Sequence, residues 1–130
     1  MAVYLLDTDI LIDALNFKHN RGQLLHELVR EGHVLACCSI NVTEVYAGMR
    51  AHEEIRTGGL LTSLQYYPVT FPVARLAGLL KRDYARKGIT LATADITIAA
   101  VAIHHQLTLI TGNVKHYSMT ELRVYPVPKT

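Results

Sequence analysis

Three acidic side chains stand where apolar runs of the chain meet helical segments. Asp7 directly follows the first apolar run, Glu44 comes soon after the second, and Asp95 opens the helical segment before the fourth. Asn113 follows that fourth run and adds an amide oxygen. Carboxylate and amide oxygens are the hard ligands that Mg²⁺ or Mn²⁺ prefers, unlike Zn²⁺. If these side chains meet, they predict a site for metal-assisted hydrolysis.

The strands that must position these residues are short and apolar. We predict buried parallel strands at 3–6, 33–38, 66–69 and 108–110, and a last strand at 122–127. Pro126 and Pro128 confine that last strand to an edge or a frayed end. Strands that alternate with helices predict an α/β fold, a Rossmann-like parallel sheet of about five strands flanked by helices. No linker or repeat divides the chain, so we expect a single domain over residues 1–130.

Helices are predicted between these strands. Their predicted ranges are 10–15, 22–31, 39–51 with Ser39 as the N-cap, from Pro72 to the stop at Gly88, and 93–105. Residues 53–64 also favour a helix, which Gly58 and Gly59 are expected to weaken or break.

Connectivity places the acids and Asn113 at one edge of the predicted sheet, because the crevice of such a sheet lies beyond the carboxyl ends of its strands. Asp95 shares its helical stripe with apolar residues, and Glu44 shares its stripe with Ala47, Gly48 and Ala51, so both carboxylates are expected to face inward. A buried carboxylate is costly unless it is paired or bound to a cation. Taken singly, each acid has an ordinary alternative, as a turn residue, a helix carboxylate or a helix-start residue.

Composition narrows the class of protein. The chain has 130 residues, half of them apolar, which is enough for one domain with its own core. No apolar stretch approaches the roughly 20 residues of a membrane span, and Asp7 and Asp9 interrupt the apolar start, so we expect neither a membrane segment nor a signal peptide. Cys37 and Cys38 lie within an apolar run, which predicts reduced, buried thiols and a cytoplasmic protein.

The net charge of the surface depends on whether the three acids bind metal ions. The net charge is only +2, from 13 Lys and Arg against 11 Asp and Glu. If bound cations neutralise the three acids, 13 positive charges face 8 negative ones. The surface would then attract a polyanion such as a nucleic acid.

Four segments carry a family resemblance: LLDTD at 5–9, Ser39 with Glu44 and Gly48, ADITIAA at 94–100, and LITGN at 109–113. Their order and spacing resemble those of PIN domains, and in particular of VapC-type toxins of toxin–antitoxin pairs, over nearly the whole chain. The resemblance implies a Mg²⁺- or Mn²⁺-dependent endoribonuclease that acts on structured RNA. It also implies a homodimer whose site a cognate antitoxin protein occludes.

The resemblance assigns roles residue by residue. Asp7, Glu44 and Asp95 match the metal-binding acids of the family, and Asn113 matches a fourth catalytic position that is often Asp. The neutral Asn113 implies at most a weak second ion. Asp9 departs from the commoner Asn or Ser and has no assigned role. Thr8 matches a hydroxyl position beside the first acid and is an expected RNA contact. Apart from the resemblance, five basic side chains are candidates for contacts to the RNA backbone, with an ordinary solvated helix face as the alternative for each: Lys81, Arg82, Arg86, Lys87 and Lys115.

Two rival hypotheses remain at this point. A phosphatase of the haloacid-dehalogenase type would use Asp7 as nucleophile and Asp9 as acid and base. That class also needs a Gly-Thr after the second Asp and a later pair of acids, whereas this chain has Ile10 and Leu11 and no Asp-Asp. The other rival is a non-catalytic binding module with a PIN-like fold, which a metal titration would separate from an enzyme.

Overall fold

The computed structural model describes residues 1–127, and within them five strands form one parallel sheet. The strands are β1 (Val3–Leu6), β2 (Val34–Cys38), β3 (Gln65–Tyr67), β4 (Thr108–Thr111) and β5 (Arg123–Pro126). Their order is β3-β2-β1-β4-β5, and every neighbouring pair is parallel. The predicted α/β sheet is therefore confirmed. Pro128, which was predicted to confine the last strand, lies outside the described residues.

Six α-helices connect or precede these strands in the described part of the chain. They are α1 (Thr8–Leu15), α2 (Arg21–Arg30), α3 (Ser39–Gly48), α4 (Glu54–Ser63), α5 (Phe71–Arg86) and α6 (Thr93–His105). Two short 3-10 turns, Ala51–Glu53 and Val114–His116, complete the connections. Apart from the differences described below, the predicted elements are present with ends shifted by at most two residues.

The sheet has a separate apolar core on each face, which explains why its strands are apolar throughout. Alternate residues of β1 point to opposite faces, so that Leu5 belongs to the core beneath α5 and α6. Leu6 belongs to the core formed with α1 to α4. Both side chains are fully buried. Strand β1 lies at the centre of the sheet between β2 and β4, so the turn that follows it begins from a strand that is paired on both sides.

Two predictions about α3 are wrong. The helix ends at Gly48 and does not reach residue 51. Its N-cap is Cys38, and the Cys38 N–H donates to Asn41 Oδ1 at 2.8 Å, so Asn41 from the first turn binds back to the cap. Ser39 is the first helical residue, and its hydroxyl accepts from the Val69 N–H at 3.0 Å. A tertiary partner for Ser39 thus replaces the predicted capping role.

Helix α4 runs unbroken through Gly58 and Gly59, contrary to the predicted weakening or break. A Cβ atom at Gly58 would lie 3.2 Å from the Tyr46 hydroxyl of α3. The glycine therefore permits a close approach between two helices, and packing outweighs its low helix propensity.

The cysteine prediction holds in the structure. Cys37 and Cys38 are both buried free thiols of β2. Burial, followed by the neighbouring Cys38, raises the pKa of Cys37 to about 11, which keeps it a neutral thiol. No helix among residues 1–127 is long and apolar enough to cross a membrane.

Candidate active site

Asp7 forms the buried centre of the site. It follows β1 and caps α1, and only 5% of its surface is exposed. Oδ1 accepts from the Thr8 N–H and from the Tyr117 hydroxyl, each at 2.9 Å. Oδ2 accepts from the Thr111 hydroxyl at 2.7 Å. Hydrogen bonds to an ionised carboxylate are strong, and these three stabilise the charge in its buried position.

Asp95 reaches the same hydroxyl from the first turn of α6. Its Oδ1 lies 3.4 Å from the Tyr117 hydroxyl oxygen, and its Oδ2 lies 3.5 Å from His116 Nδ1. The side chain is 26% exposed, so it faces partly inward as expected. Asp7 and Asp95 therefore meet at one phenol oxygen.

Glu44 is tied to the site through a chain of hydrogen bonds. The Thr8 hydroxyl donates to Glu44 Oε1 at 2.6 Å. Asn41, which is fully buried, donates from Nδ2 to Thr8 Oγ1 at 3.1 Å. The same Asn41 accepts the cap N–H of Cys38. The Glu44 carboxylate is thus oriented by the residue next to Asp7.

The prediction that Glu44 lies on a buried stripe is wrong. Glu44 is exposed, and so are the small residues that share its helical stripe, Ala47, Gly48 and Ala51. The buried face of α3 instead carries Asn41 and Val45.

The three acids influence one another electrostatically. Burial raises the pKa of Asp95 above its usual range, and the charges of Asp7 and Glu44 raise it further. His116 and the hydrogen bond from Tyr117 act in the opposite direction. The site therefore concentrates negative charge that a cation would relieve.

Asp9 has a structural position that the sequence did not show. Its Oδ2 accepts the Gly112 N–H at 3.0 Å and its Oδ1 accepts the Ile10 N–H at 2.9 Å, which joins the turn after β1 to the turn after β4. A Cβ atom at Gly112 would lie 2.8 Å from Asp9 Oδ2, so a side chain there would displace the Asp9 carboxylate. Burial, and then the charge of Asp7, raises the pKa of Asp9 to about 6. With both oxygens bound to main-chain donors, Asp9 is poorly placed for the acid–base role of a phosphatase.

Asn113 is linked to Asp7 through its backbone. The Asn113 N–H donates to Thr111 Oγ1 at 2.9 Å, and the same hydroxyl donates to Asp7. The Asn113 side chain is half-buried at the start of the turn Val114–His116. The turn after β4 therefore brings an amide to the edge where the acids lie.

The predicted RNA-contacting side chains divide into two groups. Thr8 lies within the acidic site, and Lys115 is in the turn beside it. The basic residues of α5 and its C-cap have other contacts: Lys81 Nζ donates to the Leu91 carbonyl, Arg82 Nη2 lies 3.1 Å from Asp83 Oδ1, and Lys87 Nζ lies 4.9 Å from the centre of the Tyr84 ring. Arg86 is exposed at the end of the helix.

Two residues of the site, Asn41 and Tyr117, were not predicted from the sequence. Asn41 could have been found from its place three residues after Cys38, since Asn at that spacing can bind back to a helix cap. Tyr117 gave no such signal, because its contact to Asp7 crosses 110 residues of sequence.

Residues 4–122 match the family model for the PIN domain. The chain belongs to the PIN-domain family. Ribonuclease VapC19 of Mycobacterium tuberculosis is 32% identical to this PIN domain over 115 residues, which cover 88% of this chain and 92% of that protein. The predicted resemblance to VapC-type proteins is confirmed.

Solved structures agree with the fold. One solved structure is that of VapBC2 from Rickettsia felis bound to a DNA fragment from its promoter. One of its chains matches this PIN domain with a TM-score of 0.83 at 23% sequence identity. The match covers 96% of this chain and 98% of that one. At that identity the likeness shows the fold alone. A toxin–antitoxin complex from Klebsiella pneumoniae matches with a TM-score of 0.76 at 28% identity, covering 95% and 99%.

The donor set of this PIN domain suits a hard divalent cation. Among residues 1–127 no group of three or more His, Cys, Asp or Glu side chains is arranged to hold a metal ion. Mg²⁺ seldom needs such a cage, because it keeps several waters and uses one or two carboxylates together with substrate phosphates. Asp7 and Asp95, which meet at Tyr117, form a pair of that kind. The residues present therefore fit Mg²⁺ or Mn²⁺ through a carboxylate pair.

Proposed function

We propose that this PIN domain is a Mg²⁺- or Mn²⁺-dependent endoribonuclease, the toxin of a toxin–antitoxin pair, which hydrolyses phosphodiester bonds in structured cellular RNA. The observation that carries the proposal is the meeting of Asp7 and Asp95 at one hydroxyl, with Glu44 bound to the adjacent Thr8. The name of the relative ribonuclease VapC19 supports RNA as the substrate.

The acids and Asn113 have distinct proposed roles. Asp7 and Asp95 would hold the ion, which when bound neutralises charge on the scissile phosphate and lowers the pKa of the attacking water. Glu44, exposed and oriented by Thr8, would bind the ion directly or through water and would orient the attacking water. Asn113 offers a neutral amide for a hydrogen bond to water in the site. Because this fourth position carries no charge, we expect one well-occupied ion and at most a weak second.

The RNA backbone is proposed to contact Thr8 and the basic side chains named above. Contacts to phosphate position a nucleic acid without reading its sequence. Lys115 and Arg86 are exposed and available for such contacts, whereas Lys81 would have to leave the Leu91 carbonyl.

Two partners complete the proposal. We propose that the protein works in the cytoplasm as a homodimer and that a cognate antitoxin protein covers its acidic site. The Klebsiella pneumoniae neighbour supports the second partner, since it is described as a toxin–antitoxin complex. Ala47 and Gly48 are small, exposed residues beside Glu44, and they would allow the backbone of a partner to approach closely.

Cleavage of a structured RNA by Asp7→Asn and Asp95→Asn variants tests the site. Each change removes a ligand charge and keeps the volume, and the Thr111 hydroxyl can turn to accept from the new amide at position 7. Both variants should lose cleavage and Mn²⁺ binding while remaining folded. Glu31→Gln, which changes an exposed acid at the end of α2 that is not among the proposed site or RNA contacts, is the control and should cut at the parental rate.

The choice of ion gives the same test a second arm. EDTA should abolish cleavage by the parental protein, Mg²⁺ or Mn²⁺ should restore it, and Zn²⁺ should not. Parental rates from either Asn variant in Mg²⁺ would show that the site is assigned wrongly. A parental protein that folds, binds no Mn²⁺ and leaves RNA intact would support the non-catalytic binding module.

A further inference from the structure

The Tyr117 hydroxyl lies between the two carboxylates of the proposed metal site. It is 4% exposed, donates to Asp7 Oδ1 at 2.9 Å, and lies 3.4 Å from Asp95 Oδ1. We propose that Tyr117 is a positioning residue: its hydroxyl fixes the Asp7 carboxylate so that one acceptor position, on Oδ2, is left for a cation, and it keeps the Asp95 carboxylate close to that of Asp7. This inference rests on the proposed function, because it concerns the same ion.

The acceptor positions of Asp7 can be counted. A carboxylate has about four lone-pair positions, two on each oxygen. The Thr8 N–H and the Tyr117 hydroxyl use both positions on Oδ1, and the Thr111 hydroxyl uses one on Oδ2. One position on Oδ2 is left. Asp7 would therefore bind a cation through a single oxygen, leaving the remaining coordination positions to Asp95, water and phosphate.

Tyr117 also holds two like charges near each other. The carboxylates of Asp7 and Asp95 repel, and the repulsion is strong where water is largely excluded. The polar hydroxyl between them offsets part of this repulsion, and the buried ring behind it fixes where the oxygen lies. Without the hydroxyl, Asp95, which is the more exposed of the two, would turn away from Asp7 toward solvent. The cation would then have to bring the two carboxylates together again as it binds.

A purely structural role for Tyr117 predicts that loss of its hydroxyl lowers stability without weakening metal binding. A buried tyrosine usually finds a hydrogen-bond partner, and any partner would satisfy it. Tyr84 shows this case: it is 6% exposed, its hydroxyl donates to Glu121 Oε1 at 2.8 Å, and it accepts the Thr120 N–H at 3.0 Å. Tyr84→Phe is therefore a matched control, since it removes a buried hydroxyl that does not touch the acids of the site.

Mn²⁺ titrations followed by electron paramagnetic resonance distinguish the two roles. Tyr117→Phe should bind Mn²⁺ about tenfold more weakly than the parental protein, which corresponds to about 1.4 kcal/mol. Tyr84→Phe should bind within twofold of the parental protein. Both variants should melt at a lower temperature without metal, because each loses a buried hydrogen bond. Should Tyr117→Phe not fold, Tyr117→Met fills the space without a hydroxyl and provides the same comparison.

RNA cleavage adds a readout that a structural role would not move. With Tyr117→Phe the Mg²⁺ concentration for half-maximal rate should rise, and saturating Mg²⁺ should restore kcat to near the parental value. Asp7→Asn should not be rescued in this way. An unchanged or tighter Mn²⁺ Kd for Tyr117→Phe would overturn the inference while leaving the proposed function standing. A parental protein without Mn²⁺ binding would overturn both.

Discussion

Replacing Asp9 with Asn should flatten part of the pH dependence of stability. Burial and the charge of Asp7 raise the pKa of Asp9 from 3.8 to about 6. Between these values the folded protein keeps a proton that the unfolded chain releases, so the free energy of unfolding falls as pH rises through this window. A shift of about two units corresponds to about 3 kcal/mol. Solvent reaches the half-buried side chain, which reduces the expected effect to about 2 kcal/mol.

Urea unfolding in EDTA, at pH values from 4 to 7, measures this effect. Asp9→Asn also changes the hydrogen bonds to Gly112 and Ile10, but that cost is the same at every pH and shifts the whole curve. Relative to the parental protein, the variant should therefore gain about 2 kcal/mol between pH 4 and pH 7. Asp83→Asn, at a half-exposed position, should run parallel to the parental curve. If the curve of Asp9→Asn is also parallel to the parental curve, the pKa of Asp9 is not raised in the folded protein and the reasoning from its burial is wrong.

Two further predictions concern stability at the site. Asp95→Asn should raise the melting temperature of the metal-free protein and reduce its response to Mg²⁺, because burial and the nearby acids raise the pKa of Asp95. A lower melting temperature in EDTA would instead mark Asp95 as a structural helix-start residue. Gly112→Ala should destabilise by about 1–3 kcal/mol, since its Cβ would lie 2.8 Å from Asp9 Oδ2. Gly78→Ala, in open space within α5, is the control and should stabilise the protein by about 0.5–1 kcal/mol. If the denaturant midpoints of the two glycine variants shift in the same direction, the crowding argument is wrong.

The arrangement of the sheet was predictable because apolar runs and connectivity determine it. Parallel strands buried on both faces leave a continuous apolar signal, and their carboxyl ends share an edge. The sequence therefore predicts that Asp7, Asp95 and the turn of Asn113 lie at one edge of the sheet. Helix α6 has the predicted bounds Thr93–His105.

Errors arose where a tertiary contact overrides a local signal. Ser39 has the chemistry of a cap but is bound to Val69, and Gly58 weakens a helix but lets Tyr46 approach. The small-residue stripe beside Glu44 suggested a packed face, yet sequence alone does not say whether the packing partner belongs to the same chain. Tyr117 could not be placed, because its position depends on a turn that closes back onto Asp7.

The contacts to Asp7 join residues that lie far apart in the sequence, and this affects when the candidate site can form during synthesis. Thr111 and Tyr117 bind Asp7 across 104 and 110 residues of sequence. Translation proceeds from the amino end at roughly 5–20 residues per second, so Asp7 waits about 5–20 s for these partners. Until then its carboxylate lacks two of its three hydrogen-bond donors, and β1 lacks β4. A growing chain that has not reached Tyr117 therefore has not assembled this arrangement of side chains around Asp7.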